Sequence, residues 1–310
     1  MTKTATTTNR ILMVRPVNFG FNPQTAVDNA FQEPPGDTSK KSIAVGAQEE
    51  FDAFVVQLRA AGVDVTIIDD TQEPLKRDAV FPNNWITTHA DGSLITYPMF
   101  SPMRRFERRI DIIQQLQESY VVNRHIALEA WEEERGKMLE GTGALILDRD
   151  KRIAFACISK RCSRAAVEEW CSMMDYESVT FNGTDLLGQP IYHTNVMMAM
   201  GEEQIVISPD CVSKNEGPWL LEQLQKTGKE IIRISWEQVK QFAGNMLQLR
   251  GKNGLIWAMS TAAYESLTPA QVQTLSKNQT QIVHSDLSTI ETYGGGSARC
   301  MLAEIFLKER

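Results

Sequence analysis

Apolar positions recur at helical spacing in five stretches of this chain, approximately 47–61, 101–119, 163–175, 216–227 and 268–277. Pro102 and Pro269 suit first-turn positions, and Ser163 and Thr268 suit N-caps. Each stretch is followed by a short apolar, often β-branched run, at 63–68, 121–128, 178–181, 230–234 and 281–283. These runs are predicted strands. A polar or glycine-rich stretch then opens a further strand, and the clearest cases add a turn and a return strand. The openings are at Asn84, at Glu140-Gly141-Thr142-Gly143, at His193-Thr194-Asn195, at Gly244-Asn245 and at Arg299-Cys300.

The pattern is therefore a repeat. Asn84, Thr142, Asn195, Asn245 and Cys300 share one phase of it, at gaps of 58, 53, 50 and 55 residues. The last unit lacks a return strand, and the first, at 11–14, lacks a preceding helix. Circular closure, with the C-terminal strand joining the N-terminal unit, resolves both and removes exposed sheet edges. In a closed α/β ring, residues at one phase converge on the axis. Asn84, Glu140, His193, Asn195, Asn245 and Cys300 are expected to share one pocket. Five unrelated strand starts, which often carry polar residues, are the alternative.

Composition narrows the setting. The chain has 310 residues, 42% hydrophobic and 23% charged, enough for a sizeable core in one large domain or two ordinary ones. Residues 10–310 are expected to form a single catalytic domain behind a Thr-rich, disordered tail at 1–9. A net charge of -7 argues against nucleic-acid or anionic-membrane partners. The basic run Arg104, Arg105, Arg108 and Arg109 reads as a solvated helix face. No apolar run approaches the roughly 20 residues needed to span a bilayer. Five cysteines, without paired or metal-knuckle spacing, suggest free thiols in a reducing cytoplasm and no metal site.

Chemistry then attaches to the shared phase. Cys300 is the expected nucleophile, with Gly294-Gly295-Gly296 before it allowing close backbone approach. His193 would protonate a leaving amine and activate water, and Glu140 would orient His193. A lone cysteine before Met-Leu-Ala is often a buried small hydrophobe, and a lone histidine a satisfied strand end. The combination at matching phases favours catalysis. Arg15 or Arg299 would bind an α-carboxylate bidentately. The long segment 15–32, with Phe19, Asn22, Asn29 and Gln32, reads as a lid loop.

At these residues the chain resembles the guanidine-modifying, or pentein, superfamily. The resemblance covers most of the chain. Its most specific pieces are the segment from Asp78 to Trp85, Glu140-Gly141-Thr142-Gly143, His193-Thr194-Asn195 and the glycine-rich Cys300 segment. It implies a five-bladed α/β-propeller, Cys300 as nucleophile, His193 as acid and base, and Glu140 as its partner. Asp78, Asn83, Asn84, Asn195 and Asn245 become substrate contacts. No cofactor is implied; the partner is a small amino-acid substrate, and a homo-oligomer is compatible.

Phe81-Pro82-Asn83-Asn84-Trp85 and Met13-Val14-Arg15-Pro16 resemble the citrulline-utilisation hydrolase branch. Arginine deiminases usually carry aspartate where Asn84 and Asn195 stand, and their Glu-Gly-Gly-Asp motif is altered here. A guanidinium offers only donors and suits carboxylates; a neutral urea suits asparagine. The expectation is hydrolysis of citrulline to ornithine, ammonia and carbon dioxide. The alternatives are an arginine deiminase, a dimethylarginine or agmatine hydrolase, an amidinotransferase, or a non-catalytic binding protein on the same fold.

Overall fold

The computed structural model describes residues 6–134 and 136–310. Five three-stranded sheets carry the fold, and each follows one plan: an antiparallel pair, then a parallel partner reached through helical or turn segments. Ile86–Thr88, Ser93–Thr96 and Arg124–Ala127 form one. Leu145–Asp148, Ile153–Ile158 and Glu177–Asn182 form the next. Met198–Met200, Gln204–Ile207 and Glu230–Arg233 form a third. Leu247–Gly251, Gly254–Ser260 and Gln281–Ser285 form a fourth. In the fifth, Arg10–Arg15 pairs parallel with Asp64–Asp69 and antiparallel with Ala303–Glu304. The C-terminal segment thus joins the N-terminal unit. Each unit keeps its own sheet; among the described residues no sheet runs continuously round the molecule.

The units are tied together where their first strands begin. Thr142 Oγ1 donates to Asn83 O at 3.3 Å, and Thr194 Oγ1 donates to Ala144 O at 2.5 Å. Asn245 Nδ2 donates to Asn195 O at 2.9 Å, and Arg299 N donates to Asn245 Oδ1 at 3.0 Å. Thr88 Oγ1 donates to Glu304 O and accepts from Phe306 N, linking the last turn back toward the first. The first four of these bonds each start or end at a shared-phase residue or its immediate neighbour. Packing there is tight: a Cβ on Gly141 would lie 2.4 Å from Asn83 O, and one on Gly244 2.4 Å from Val196 O.

Helices occupy Lys40–Ala60, Ile110–Ser119, Arg164–Met174, Gly217–Lys226 and Pro269–Leu275. The first begins seven residues before the periodicity predicts. Ser39 caps it by accepting from Ser42 N, and Gly46, which looks like a breaker, instead fits its helix against Thr289. The expected helix over 101–119 is split. A 3-10 turn at Pro102–Glu107 ends at Arg108, which leaves the helical region at φ -72 and ψ 86, before the α-helix starts. That break turns Arg104 and Glu107 inward. Of the expected tail, residues 1–5 lie outside the described residues. Its second half is fastened: Thr7 and Thr8 are buried, with hydroxyls on Glu202 Oε1 and Ile305 O.

No helix among the described residues is long and apolar enough to cross a membrane.

Candidate active site

Cys300 stands in the 3-10 turn Ala298–Met301, 3% exposed. Gly295 precedes it at φ +62, where a side chain would be strained and would strike Asn29 and Gln32. Two carboxamides grip the sulfur: Asn195 Nδ2 donates to Sγ at 3.4 Å and Asn245 Nδ2 at 3.3 Å. Such donors orient the sulfur and strengthen when it carries negative charge. The cysteine, His193, Asp78 and Asn84 line one narrow cleft, together with Arg104 and Arg161.

His193 Nε2 lies 2.8 Å from Glu140 Oε2. Burial raises the Glu140 carboxyl, but the bond from His193 and the guanidiniums of Arg161 and Arg104 outweigh it and hold it down to about 2. A carboxylate only accepts, so Nε2 carries the proton and Nδ1 is the free nitrogen. Nδ1 faces the gap left by Gly143, where a Cβ would lie 2.8 Å away. Burial lowers the His193 pKa, against the raising effect of Glu140. The imidazole is therefore neutral near pH 7, and its ring lines the same cleft as Cys300; a neutral imidazole there is suited to accepting and returning a proton. Glu140 is fixed in turn by Phe100 N, which donates to Oε1 at 2.9 Å.

Asp78 is buried, and burial raises its pKa against the pull of Arg104. Asn22 donates to Oδ2 at 2.6 Å, while Oδ1 has no partner. Asp78, which lines the cleft, thus carries a buried carboxyl oxygen lacking a donor. Asn83 and Asn84 are buried beside it but bound to each other, Nδ2 of Asn84 donating to Oδ1 of Asn83 at 2.9 Å. Asn84 Oδ1 also accepts from Arg104 at 2.9 Å, so this carboxamide is already occupied. Phe19 does not line the cleft but packs behind it, where a Cβ on Gly294 would sit 3.0 Å from its ring.

Segment 15–32 closes one side. Asn29 Nδ2 and Gln32 Nε2 donate to the carbonyls of Gly295 and Gly294 at 3.2 and 2.9 Å. Tyr192 adds its hydroxyl to the Gly295 carbonyl.

Two expected substrate contacts lie elsewhere. Arg15 makes a bidentate pair with Asp52 of the first helix, at 2.8 and 2.7 Å, and is partly exposed. It ends a parallel strand and points to the helix that covers it. Arg299 is buried but donates to Leu302 O and Glu304, on the far face of the Cys300 turn. Adjacent residues in a 3-10 turn point about a third of a turn apart, and here they enter different cavities.

The cations at the cleft are Arg104 and Arg161. Arg104 is 3% exposed and forks onto Glu107 at 2.9 and 2.8 Å, correcting the solvated-face expectation for that residue. Arg161 is held by Asp28 and Thr25 O of the loop. Helical periodicity places an Arg-rich run outward, and only the Arg104–Glu107 spacing hints at a buried pair. Arg161 follows a strand without a marker. Among the described residues no group of three or more His, Cys, Asp or Glu is placed to hold a metal.

The model of the family described as N,N dimethylarginine dimethylhydrolase, eukaryotic, matches residues 15–307. No curated protein sequence matches. The fold is similar to the substrate-bound N-terminal domain of ArgZ, an arginine dihydrolase from the ornithine-ammonia cycle in cyanobacteria. The TM-score is 0.74 at 16% identity, covering 96% of this chain and 98% of that one. AgrE in complex with ornithine and NAD+ gives 0.73 at 16%, with 97% of this chain on 40% of AgrE. A dimethylarginine dimethylaminohydrolase carrying an S-methyl-L-thiocitrulline adduct gives 0.66 at 13%, covering 96% and 99%. At these identities the structures speak for a shared mixed α/β fold, and the sequence model supplies the family: the chain belongs to the N,N dimethylarginine dimethylhydrolase, eukaryotic, family of hydrolases, within the pentein guanidine-modifying superfamily.

Proposed function

We propose that this chain hydrolyses a carbon–nitrogen bond at the guanidino carbon of arginine or a methylated arginine, through a covalent adduct on Cys300. The observation that carries this is Asp78: a buried carboxylate with an unpartnered oxygen, in the same cleft as Cys300 and His193. A guanidinium is the donor-rich cation such an oxygen lacks. In this reading His193 takes the thiol proton as Sγ attacks the guanidino carbon, and passes it to the departing amine. Water, deprotonated by His193, then displaces the sulfur to leave a ureido product. Residues 10–310 act as one catalytic domain whose five units are blades of a propeller, with their entry turns at the axis. The five unpaired thiols suit a reducing compartment such as the cytoplasm.

A second reading keeps citrulline as substrate, with ornithine, ammonia and carbon dioxide as products. It rests on Asn195, whose buried Oδ1 has no donor and could take a urea N–H. The engagement of Asn84 by Asn83 and Arg104 removes the other half of that argument.

A product assay over arginine, its methylated forms, agmatine and citrulline decides between them. Release of ammonia or methylamines from arginine-type substrates, lost in Cys300→Ser, supports the first reading. Ornithine from citrulline, with guanidino compounds inert, replaces it with the second. No turnover of any, with Cys300 alkylated no faster in their absence than in their presence, sinks the enzyme reading.

A further inference from the structure

Arg299 and Cys300 are consecutive, yet Arg299 opens onto a different cavity. Thr142, Arg149, Gln248 and Glu304 line it as well, around a small void of about 30 Å³ that is partly open to solvent. Arg149 and Arg299 are 5% and 4% exposed. Both turn to the same carboxylate: Arg299 Nη2 is 3.0 Å and Arg149 Nη2 3.7 Å from Glu304 Oε2.

Other neighbours do not neutralise the excess. Arg149 Nη1 donates to His89 Nδ1 at 3.3 Å, and its guanidinium stacks on Phe306. His89 is neutral, because burial and then Arg149 push its pKa down to about 3. The Glu202 carboxylate, near Gln248, is taken by Arg250 and Thr7. Two buried cations therefore share one anion.

Gln248 adds a second, independent mark. It is 1% exposed; its Oε1 accepts from Glu202 N at 2.7 Å, while its Nε2 has no partner. A buried amide without an acceptor is costly, and so is an uncompensated buried guanidinium. Both deficits are met by one kind of ligand, a small group with negative charge and several acceptors. A cation would repel, and an apolar ligand would leave the donors unmet.

We infer that this cavity is a second binding site, for an oxyanion of the carboxylate or phosphate class. It lies on a different face of the turn that carries Cys300, and it does not depend on which substrate the cleft takes.

Thermal unfolding of the full chain, titrated separately with inorganic phosphate and with acetate at constant ionic strength, tests this. The expected result is a saturable rise in Tm with at least one of the two; which one responds distinguishes phosphate from carboxylate. Gln248→Glu keeps the acceptor on Glu202 N and supplies the missing charge from the protein. It should weaken the apparent Kd by about tenfold or more. Gln248→Met, which removes the donor without adding charge, serves if the first variant does not fold, and should weaken binding severalfold. The inference is overturned if neither ion gives a saturable shift. It is also overturned if the variant responds as the wild type does, which would put the anion at Arg104 and Arg161 instead.

Discussion

The two cavities either side of the Ala298–Met301 turn hold the same cations in opposite company. On the Cys300 side, Arg104 and Arg161 stand among Asp28, Asp78, Glu107 and Glu140. On the Arg299 side, Arg149 and Arg299 share Glu304. Buried arginine does not by itself mark an anion site; what decides is whether nearby carboxylates outnumber it. On the proposed reading the first cleft takes a cation beside the thiol, and the second an anion in a cavity that no cysteine lines.

The comparison is tested most severely at the sulfur. Cys300→Ser should lower turnover by about 10⁴-fold or more, which confines the chemistry to the acid-rich side. Glu140→Gln should lower kcat by about 10²- to 10⁴-fold with a smaller change in KM, because His193 loses the carboxylate that fixes its Nε2 proton. An unchanged kcat would remove Glu140 from the proposed mechanism. Asp78→Asn should lower kcat/KM for arginine about 10²-fold while altering any citrulline turnover far less. Equal losses would mean that Asp78 holds the cleft's shape and does not select its charge.

The smallest effect concerns the turn between the cavities. Glu291 accepts from Ser297 Oγ at 2.6 Å. Burial raises its pKa to about 7, with the bonds from Ser260 and Ser297 opposing. The folded state therefore holds a proton that the unfolded state loses near pH 4.5. Stability contributed here is full below that pH and falls as pH rises through 7. Glu291→Gln should flatten this slope, by about 1–3 kcal/mol between pH 5 and 8 in urea unfolding. A slope equal to the wild type's would show that Glu291 is ionised at both ends of the range.

Much of this was open to sequence reasoning because the fold repeats. The phase of Asn84, Thr142, Asn195, Asn245 and Cys300 is the series of turns that hydrogen-bond one to the next. Glu140 and His193 sit at the start of two such turns, so period alone brings them near Cys300. Charged side chains were harder. Arg104 lies in a run that helical spacing turns outward, and the break after Glu107 depends on Arg108 leaving helical dihedrals. Arg161 gains its place from Asp28 and Thr25, residues more than a hundred positions away. Arg15 and Arg299 failed for the complementary reason. Each has a good local acceptor, Asp52 or Glu304, that a linear reading does not supply. The asparagine argument failed in part because Asn84 is claimed by Asn83 and Arg104 before any substrate arrives.

The pairing of Ala303–Glu304 with Arg10–Arg15 has a kinetic consequence. Four units can assemble from neighbours in sequence, but this seam joins the most distant parts of the chain; Thr8 and Ile305 are bonded across 297 residues. Such contacts carry the greatest loop-closure cost and form late. Cys300 lies three residues before that strand, so its alignment with Asn195 and Asn245 waits on the slowest contact. Fraying at the seam would misplace the sulfur while the other four sheets stay folded. Thiol protection at Cys300 should therefore be the last property to recover on refolding and the first to be lost in mild denaturant.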